Sequence, residues 1–172
     1  MVGVTGLAAF TTHGALWIVL KTDGALQARA RRWAGWAGGA WIVLLLAVTT
    51  WTLLSPADLA HNFATHPALF TVPATAGVAL GVAAGAHSRR LELPAFLASG
   101  AAIALMFATA AVTLFPDLVP ATDPELSLTI FNASSSRRTL ITMAIMAAIG
   151  VPLVLAYTSY AYWTFRGKTR VE

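Results

Sequence analysis

The chain has 172 residues, of which 58% are apolar and only 10% are charged. Soluble domains usually carry about 25% charged residues, so this composition excludes an ordinary water-soluble enzyme. An intrinsically disordered chain is also excluded, because disorder requires low hydrophobicity and high net charge. Cysteine is absent, which excludes disulfides, zinc–thiolate sites, iron–sulfur clusters and cysteine nucleophiles.

The net charge is +4. A basic chain can indicate a nucleic-acid partner, but no basic run in this sequence is long enough to cover a duplex. Basic loops are instead the usual topogenic signal of an integral membrane protein. We therefore expect no nucleic-acid partner and a chain that lies in or next to the lipid bilayer.

Five apolar stretches are long enough to cross a membrane. A bilayer core about 30 Å thick requires roughly 20 mostly apolar residues in a helix, and no Asp, Glu, Lys or Arg falls inside any of the five. The stretches cover residues 2–20, 34–54, 69–86, 94–115 and 140–165. The sequence therefore predicts an all-α integral membrane protein, with one transmembrane domain of five helices over residues 1–172 and an outer loop over 116–138.

The charges of the loops predict how the helices are oriented. Nine of the eleven basic residues follow the first, third or fifth stretch: Lys21, Arg29, Arg31, Arg32, Arg89, Arg90, Arg166, Lys168 and Arg170. The other side holds Arg137, Arg138, Asp58, Asp117, Asp123 and Glu125. By the positive-inside rule, the N-terminus is expected outside and the C-terminus in the cytoplasm. Five helices that begin outside resemble the remainder of a longer topology, so we expect the chain to be a fragment or a half of a longer one.

Small residues and a proline predict features of helix packing. Gly77, Gly81 and Gly85 fall four residues apart, and this spacing predicts a smooth face that a neighbouring backbone can approach closely. Pro152 lies inside the fifth stretch, where its missing N–H predicts a kink.

Aromatic residues cluster near the expected cytoplasmic ends of two helices. Trp33, Trp36 and Trp41 stand at the start of the second stretch, and Tyr157, Tyr160, Tyr162 and Trp163 stand at the end of the fifth. These positions are typical of the aromatic belts at membrane–water interfaces.

His13 is the candidate functional residue inside a span. It lies about 17 Å along the first helix, near mid-membrane, where an ionisable side chain suggests a haem ligand, a proton relay or a quinone contact. The alternative is a neutral imidazole that hydrogen-bonds to a neighbouring helix and serves packing. His61, His66 and His87 fall in loops or at helix ends. The sequence contains no paired carboxylates, phosphate loop or nucleophile–base arrangement, so we expect no catalytic residues, no metal site and no self-contained active site.

The outer loop is the most distinctive connection. Leu126, Leu128, Ile130 and Phe131 alternate with polar residues, which predicts a segment that lies on the membrane surface or against a partner. The triplet that begins at Asn132 matches a glycosylation sequon, a pattern of low specificity. Three serines at 134–136 precede the fifth stretch and offer N-cap oxygens to its free amides.

Three segments together resemble a known family. They are THGALWIVLKTDGALQARARRW (12–33), the helix end LFPDLVPAT (114–122), and SLTIFNASSSRRTL followed by PLVLAYTSYAYWTFRGK (within 127–168). In order and spacing they resemble subunit II of the bacterial cytochrome bd-type quinol oxidases. The resemblance covers essentially the whole chain and corresponds to the C-terminal half of that subunit. A split gene, a truncated product or a separate polypeptide for the N-terminal half would account for the other half.

The resemblance implies an accessory, structural subunit of a heterodimeric terminal oxidase in the bacterial cytoplasmic membrane. Such a complex oxidises quinol and reduces dioxygen to water, with haem b, haem d and the quinol site in the partner subunit I. This chain is then expected to bind no haem itself, and a structural quinone is left open. The alternative functions are a small transporter or channel component and a purely structural scaffold. Transporters usually carry intramembrane charges or interrupted helix pairs, and these spans carry no charge.

Overall fold

The computed structural model describes residues 1–54, 61–121, 126–165 and 167. The predictions that concern Asp58, Asp123, Glu125, Arg166, Lys168 and Arg170 therefore lie outside the described residues. The described helices are α1 (Val2–Lys21), α2 (Gly24–Leu54), α3 (His61–Thr65), α4 (Thr71–Ser88), α5 (Glu92–Leu114) and α6 (Arg137–Thr164). A 3-10 turn at Pro67–Phe70 precedes α4, and two short strands, β1 (Asp117–Val119) and β2 (Leu128–Thr129), lie between α5 and α6.

Five helices of the described chain are long and apolar enough to cross a membrane, namely α1, α2, α4 with its preceding turn, α5 and α6. They confirm the predicted all-α membrane architecture. The largest difference in bounds is at α2, which begins at Gly24 rather than at residue 34. The intervening residues are mostly Ala, Leu, Gln and Arg, which favour helix, so the helix continues beyond its apolar part. The orientation of the helices and the single transmembrane domain remain predictions.

The chain divides into two compact units, and the first contains Met1–Phe115. In this unit α1 packs against α2 and α5, and α4 packs against α5. Nine of the fourteen buried apolar residues in the described chain are alanines. Small side chains allow helix backbones to approach closely, which is how helices associate in a membrane where lipid is as apolar as the helix surface.

The short connection between α1 and α2 is stabilised by a glycine in a left-handed conformation and by two side-chain hydrogen bonds. Gly24 has a φ of 70°, a left-handed conformation that glycine adopts without steric cost. The Thr22 hydroxyl donates a hydrogen bond to Ile18 O at 2.7 Å, and Gln27 Nε2 donates to Val19 O at 3.0 Å. Ile18 O also accepts the backbone N–H of Thr22, and the bond from Gln27 satisfies the carbonyl of Val19 in the last turn of α1.

The glycine stripe of α4 does not contact another helix among the described residues. A Cβ atom added at Gly77, Gly81 or Gly85 would meet no atom within 4 Å. The buried face of α4 is instead formed by Ala76, Leu80, Ala83 and Ala86. The close packing that we predicted for the glycines is thus wrong for the described part of this chain.

The tryptophans at the start of the second span lie in two environments. Trp33 and Trp36 are 64% and 79% exposed, as expected for an aromatic belt. Trp41 is only 1% exposed and packs in a core cluster with Ala9, Leu80 and Ala102. Trp41 is therefore a core residue, and its assignment to the belt is wrong.

The second unit contains Pro116–Gly167 and begins with the predicted outer loop. Strands β1 and β2 pair antiparallel, with Asp117 opposite Thr129 and an irregular register beside it. Asn132, the first residue of the sequon, accepts a hydrogen bond from Thr129 N at 2.7 Å and donates to Ser127 O at 2.9 Å. Its side chain therefore stabilises the turn after β2.

Helix α6 begins with the predicted serine cap, because Ser136 Oγ accepts a hydrogen bond from Thr139 N. Pro152 lies inside the helix, which continues on both sides of it. A proline lacks the N–H that would bond to the carbonyl four residues earlier, here that of Ala148. Within the second unit, no side chain of α6 is buried.

Candidate functional site

A polar pair connects α1 and α5 inside the first unit. His13 Nδ1 lies 2.8 Å from Ser99 Oγ, and Ser99 is completely buried. The Ser99 hydroxyl is also directed at Phe96 O, at 2.7 Å. The structure thus places the sequence candidate His13 against a neighbouring helix through a single hydroxyl partner.

The hydroxyl proton of Ser99 has two possible acceptors. A hydroxyl has one proton, and Ser99 Oγ lies within hydrogen-bond distance of both Phe96 O and His13 Nδ1. When that proton is directed at Phe96 O, His13 donates through Nδ1–H, and when it is directed at Nδ1, the imidazole accepts from Ser99. In either tautomer the pair connects α1 to α5.

Aromatic contacts fix the plane of the His13 ring. The ring stacks on Phe96 of α5 with centroids 4.4 Å apart and an interplanar angle of 21°. Phe96 is also in contact with Trp17, one turn after His13 on α1, at 5.2 Å between centroids. Lys21 Nζ lies 5.2 Å from the centre of the Trp17 ring, close enough for a cation–π interaction. The His13 face of α1 is therefore held against α5 by ring packing as well as by the hydrogen bond.

Gly100 allows the two helices to approach at this level. A Cβ atom at Gly100 would lie 3.3 Å from His13 Cε1, a contact tighter than usual. We expect Gly100→Leu to push the imidazole off Ser99 and to destabilise the protein by about 1–3 kcal/mol, the usual cost of overpacking. A thermal unfolding curve of the purified protein measures this effect.

Gly14 supplies the matched control for that substitution. It lies next to His13 on α1, and a Cβ atom there would meet nothing within 4 Å. We expect Gly14→Leu to leave the unfolding midpoint within about 1 °C of the wild type. Equal losses of stability in both variants would show that close packing at His13 is not the cause.

A second polar cluster joins α1, α2 and α5 near the α1–α2 connection. Glu92 Oε1 accepts a hydrogen bond from Gln27 Nε2 at 2.8 Å and lies 3.2 Å from Arg31 Nη2. Gln27 also reaches the carbonyl of Val19 at the end of α1. Arg31 and Glu92 are both about one-fifth exposed, so the pair links the helices at the margin of the bundle. Sequence analysis did not find this cluster, because Glu92 lies on another helix, 61 positions from Arg31.

A groove lies between α1, α2 and α4, with a volume of about 240 Å³. Half of its lining residues are Gly or Ala. Its polar groups are the side chains of Thr12 and His87 and the indole of Trp41. His87 Nε2 would lie 3.6 Å from a Cβ atom at Gly35, so the glycine makes room for this imidazole. Small-molecule pockets usually measure about 300–1,000 Å³, so the groove is small for a cofactor.

The contacts of His13 do not favour a role as a haem ligand. Its ring stacks on Phe96 and lies close to Gly100, and it does not line the groove between α1, α2 and α4. No group of three or more His, Asp and Glu side chains that could hold a metal ion is found in the described ranges. His61 and His66 are exposed residues in and after α3. We derive no reaction step through a haem on this chain.

The fold and these contacts define a class of protein: a polytopic α-helical membrane protein in which polar side chains of the described residues connect neighbouring helices. The chain belongs to the family described as cytochrome bd terminal oxidase subunit II, whose profile matches residues 1–165. With five candidate membrane spans and bacterial relatives, it is a multi-pass protein of the bacterial inner membrane.

The relatives agree with this family. The chain is similar to a probable cytochrome oxidase subunit 2 of Haemophilus influenzae, at 33% identity over 96% of the chain and 51% of the relative. It is also similar to the cytochrome bd-I ubiquinol oxidase subunit 2 of Escherichia coli, at 27% identity over 100% of the chain and 52% of the relative. The cytochrome bd ubiquinol oxidase subunit 2 of Bacillus subtilis is 30% identical over 95% of the chain and 48% of the relative. The chain spans about half the length of the curated relatives that it matches.

Proposed function

We propose that this chain is an accessory, structural part of subunit II in a bacterial cytochrome bd-type terminal oxidase. The complex would oxidise two quinols to two quinones and reduce one dioxygen to two waters. The observation that carries this proposal is the match of the family over residues 1–165. The names of the Escherichia coli and Bacillus subtilis relatives, both ubiquinol oxidase subunits, support quinol as the substrate of the complex.

The contacts of this chain support a structural role within that complex. The polar side chains of the candidate site connect helices: His13 with Ser99 inside the bundle, and Arg31 with Glu92 at its margin. Such pairs fix how α1, α2 and α5 pack, and they leave no arrangement of nucleophile and base for chemistry. We assign His13 to helix packing, in preference to a proton relay or a quinone contact.

The cofactors of the complex belong to the proposal as well. We place haem b, haem d and the quinol-oxidising site in the partner subunit I, as the membership of the family implies. The groove between α1, α2 and α4, with a volume of about 240 Å³, is too small to enclose a quinone ring with its chain. We therefore leave a quinone out of the proposed function. The partners are subunit I, the lipid bilayer and, where it is a separate polypeptide, the other half of subunit II.

A transporter or channel component is the other function that the composition allows. Substrate sites of transporters usually include intramembrane charges or broken helices that line a polar cavity. The groove of this chain is lined mostly by Gly, Ala and other apolar residues, so no specific observation favours transport.

The test is a tagged version of the chain, purified once with the subunits that accompany it and once after separation from them. We expect the assembled sample to give reduced-minus-oxidised haem bands and quinol-dependent oxygen consumption. The separated chain should give no haem bands. A haem spectrum from this chain alone would overturn the assignment of the cofactors, and purification without any haem-bearing partner would overturn the proposed complex.

A further inference from the structure

Helix α2 is longer than a bilayer core. Its 31 residues extend over about 46 Å at 1.5 Å per residue, whereas the hydrocarbon layer is about 30 Å thick. The uncharged part, residues 34–54, is about 32 Å long and fills that layer by itself. The first ten residues of α2 then lie at the depth of the lipid headgroups.

Four side chains in this region form one exposed face of the helix, which we call the Arg–Trp face. Its members are Arg29, Arg32, Trp33 and Trp36. They are spaced i, i+3, i+4 and i+7, the spacing that puts side chains on one side of a helix. All four are exposed, and together they line a shallow cavity of about 350 Å³. Ala30 and Ala34, which lie between them in sequence, are buried in the bundle on the other side.

The arginines of this region differ in their partners. Arg31 points toward the bundle and pairs with Glu92 at 3.2 Å. Arg29 and Arg32 form no ion pair with any described residue. They lie about 4.5 Å apart along the helix axis, so both guanidinium groups can reach one anionic group between them.

We propose that the Arg–Trp face binds the phosphate of an anionic phospholipid of the phosphatidylglycerol type. Guanidinium groups bind phosphate oxygens through paired hydrogen bonds, and two of them match a phosphodiester at headgroup depth. Trp33 and Trp36 lie one and two turns beyond Arg29, toward the level of the glycerol and ester groups, where indoles prefer to lie. The Arg–Trp face contains no acidic side chain that could pair with the ammonium group of a zwitterionic lipid. A lipid with a net negative charge is therefore favoured.

The experiment uses the protein purified from its membrane together with any subunits that accompany it, so its result does not depend on the proposed function. After delipidation, native mass spectrometry counts bound lipid while dioleoyl phosphatidylglycerol is titrated in. Dioleoyl phosphatidylcholine and inorganic phosphate are titrated in parallel. The variant is the double substitution Arg29→Gln and Arg32→Gln. The matched control is Arg89→Gln with Arg90→Gln, which removes the same charge from the exposed α4–α5 connection.

We expect phosphatidylglycerol to bind the wild type and the control with affinities within about twofold, and the Arg29/Arg32 variant about tenfold more weakly or worse. Phosphatidylcholine and inorganic phosphate should compete poorly. An equal loss in both variants, no loss in either, or equal binding of phosphatidylcholine would overturn the proposal. Saturation by inorganic phosphate would indicate an anion site without a lipid. Release of an accompanying subunit from the Arg29/Arg32 variant, with lipid binding unchanged, would indicate a protein interface at this face instead.

Discussion

Replacing His13 by alanine is expected to lower the yield of assembled complex several-fold while leaving the turnover of each assembled complex within about twofold of the wild type. The substitution removes a hydrogen bond to the buried Ser99 and the stacking on Phe96, which together contribute about 2 kcal/mol. That loss weakens the contact between α1 and α5 but removes no group that we place in the chemistry. Yield is measured from haem per milligram of membrane protein, and turnover from oxygen consumption per haem.

Two further variants separate packing from proton transfer at His13. His13→Asn keeps a short polar side chain that can hydrogen-bond to Ser99, so it should recover part of the yield. His66→Ala changes an exposed histidine after α3 and should leave both yield and turnover unchanged. If His13→Ala gives an intact complex with a large loss of turnover, then a proton or quinone role at this residue is correct and the packing assignment is wrong.

Trp41 is expected to show the largest loss of stability of any single substitution discussed for this chain. Trp41→Ala removes the indole from the cluster with Ala9, Leu80 and Ala102, and the cavity that it leaves should cost about 3–5 kcal/mol. Its Nε1–H is buried and has no hydrogen-bond partner among the described residues. Trp41→Phe fills most of the same space and removes that unsatisfied donor, so its cost should stay below about 1.5 kcal/mol.

Trp36 serves as the control on the same helix, since it is 79% exposed. The unfolding midpoint of the purified protein should fall strongly for Trp41→Ala and little for Trp41→Phe or Trp36→Ala. A large loss for Trp41→Phe would show that the indole N–H has an acceptor outside the described residues. An equally small loss for all three variants would contradict the core position of Trp41.

The positions of the membrane helices could be predicted because apolar length is a direct physical requirement of the bilayer. All five predicted spans correspond to helices of the structure. The start of α2 could not be found in this way, because the residues before Ala34 lie outside the lipid and need not be apolar. The strands β1 and β2 were also missed. They are three and two residues long; the alternation around β2 was interpreted as a membrane-surface or partner-facing segment, and side chains such as Asn132 stabilise the connection through local hydrogen bonds.

The candidate site was predicted in part. Depth in the membrane identified His13, because an imidazole in hydrocarbon requires a partner. Its partner Ser99 could not be named, since the two residues are 86 positions apart and one serine in an Ala-rich helix carries no signal of its own. The glycines show the opposite case. Spacing singled out Gly77, Gly81 and Gly85, yet the close approach occurs at Gly100, a lone glycine that faces an imidazole. A glycine is required for close packing only where a side chain or backbone of another helix lies against it, and the spacing of glycines in one sequence does not show which helices are neighbours.

The proline of α6 has a mechanical consequence. The helix has 28 residues, about 42 Å at the usual rise per residue, and Pro152 lies roughly midway along it. Bending a regular helix strains its backbone hydrogen bonds, but at this level one of those bonds is missing already. A helix longer than the hydrocarbon layer must tilt, bend or deform the lipid around it. Of the positions along α6, Pro152 is therefore the one at which a bend costs least.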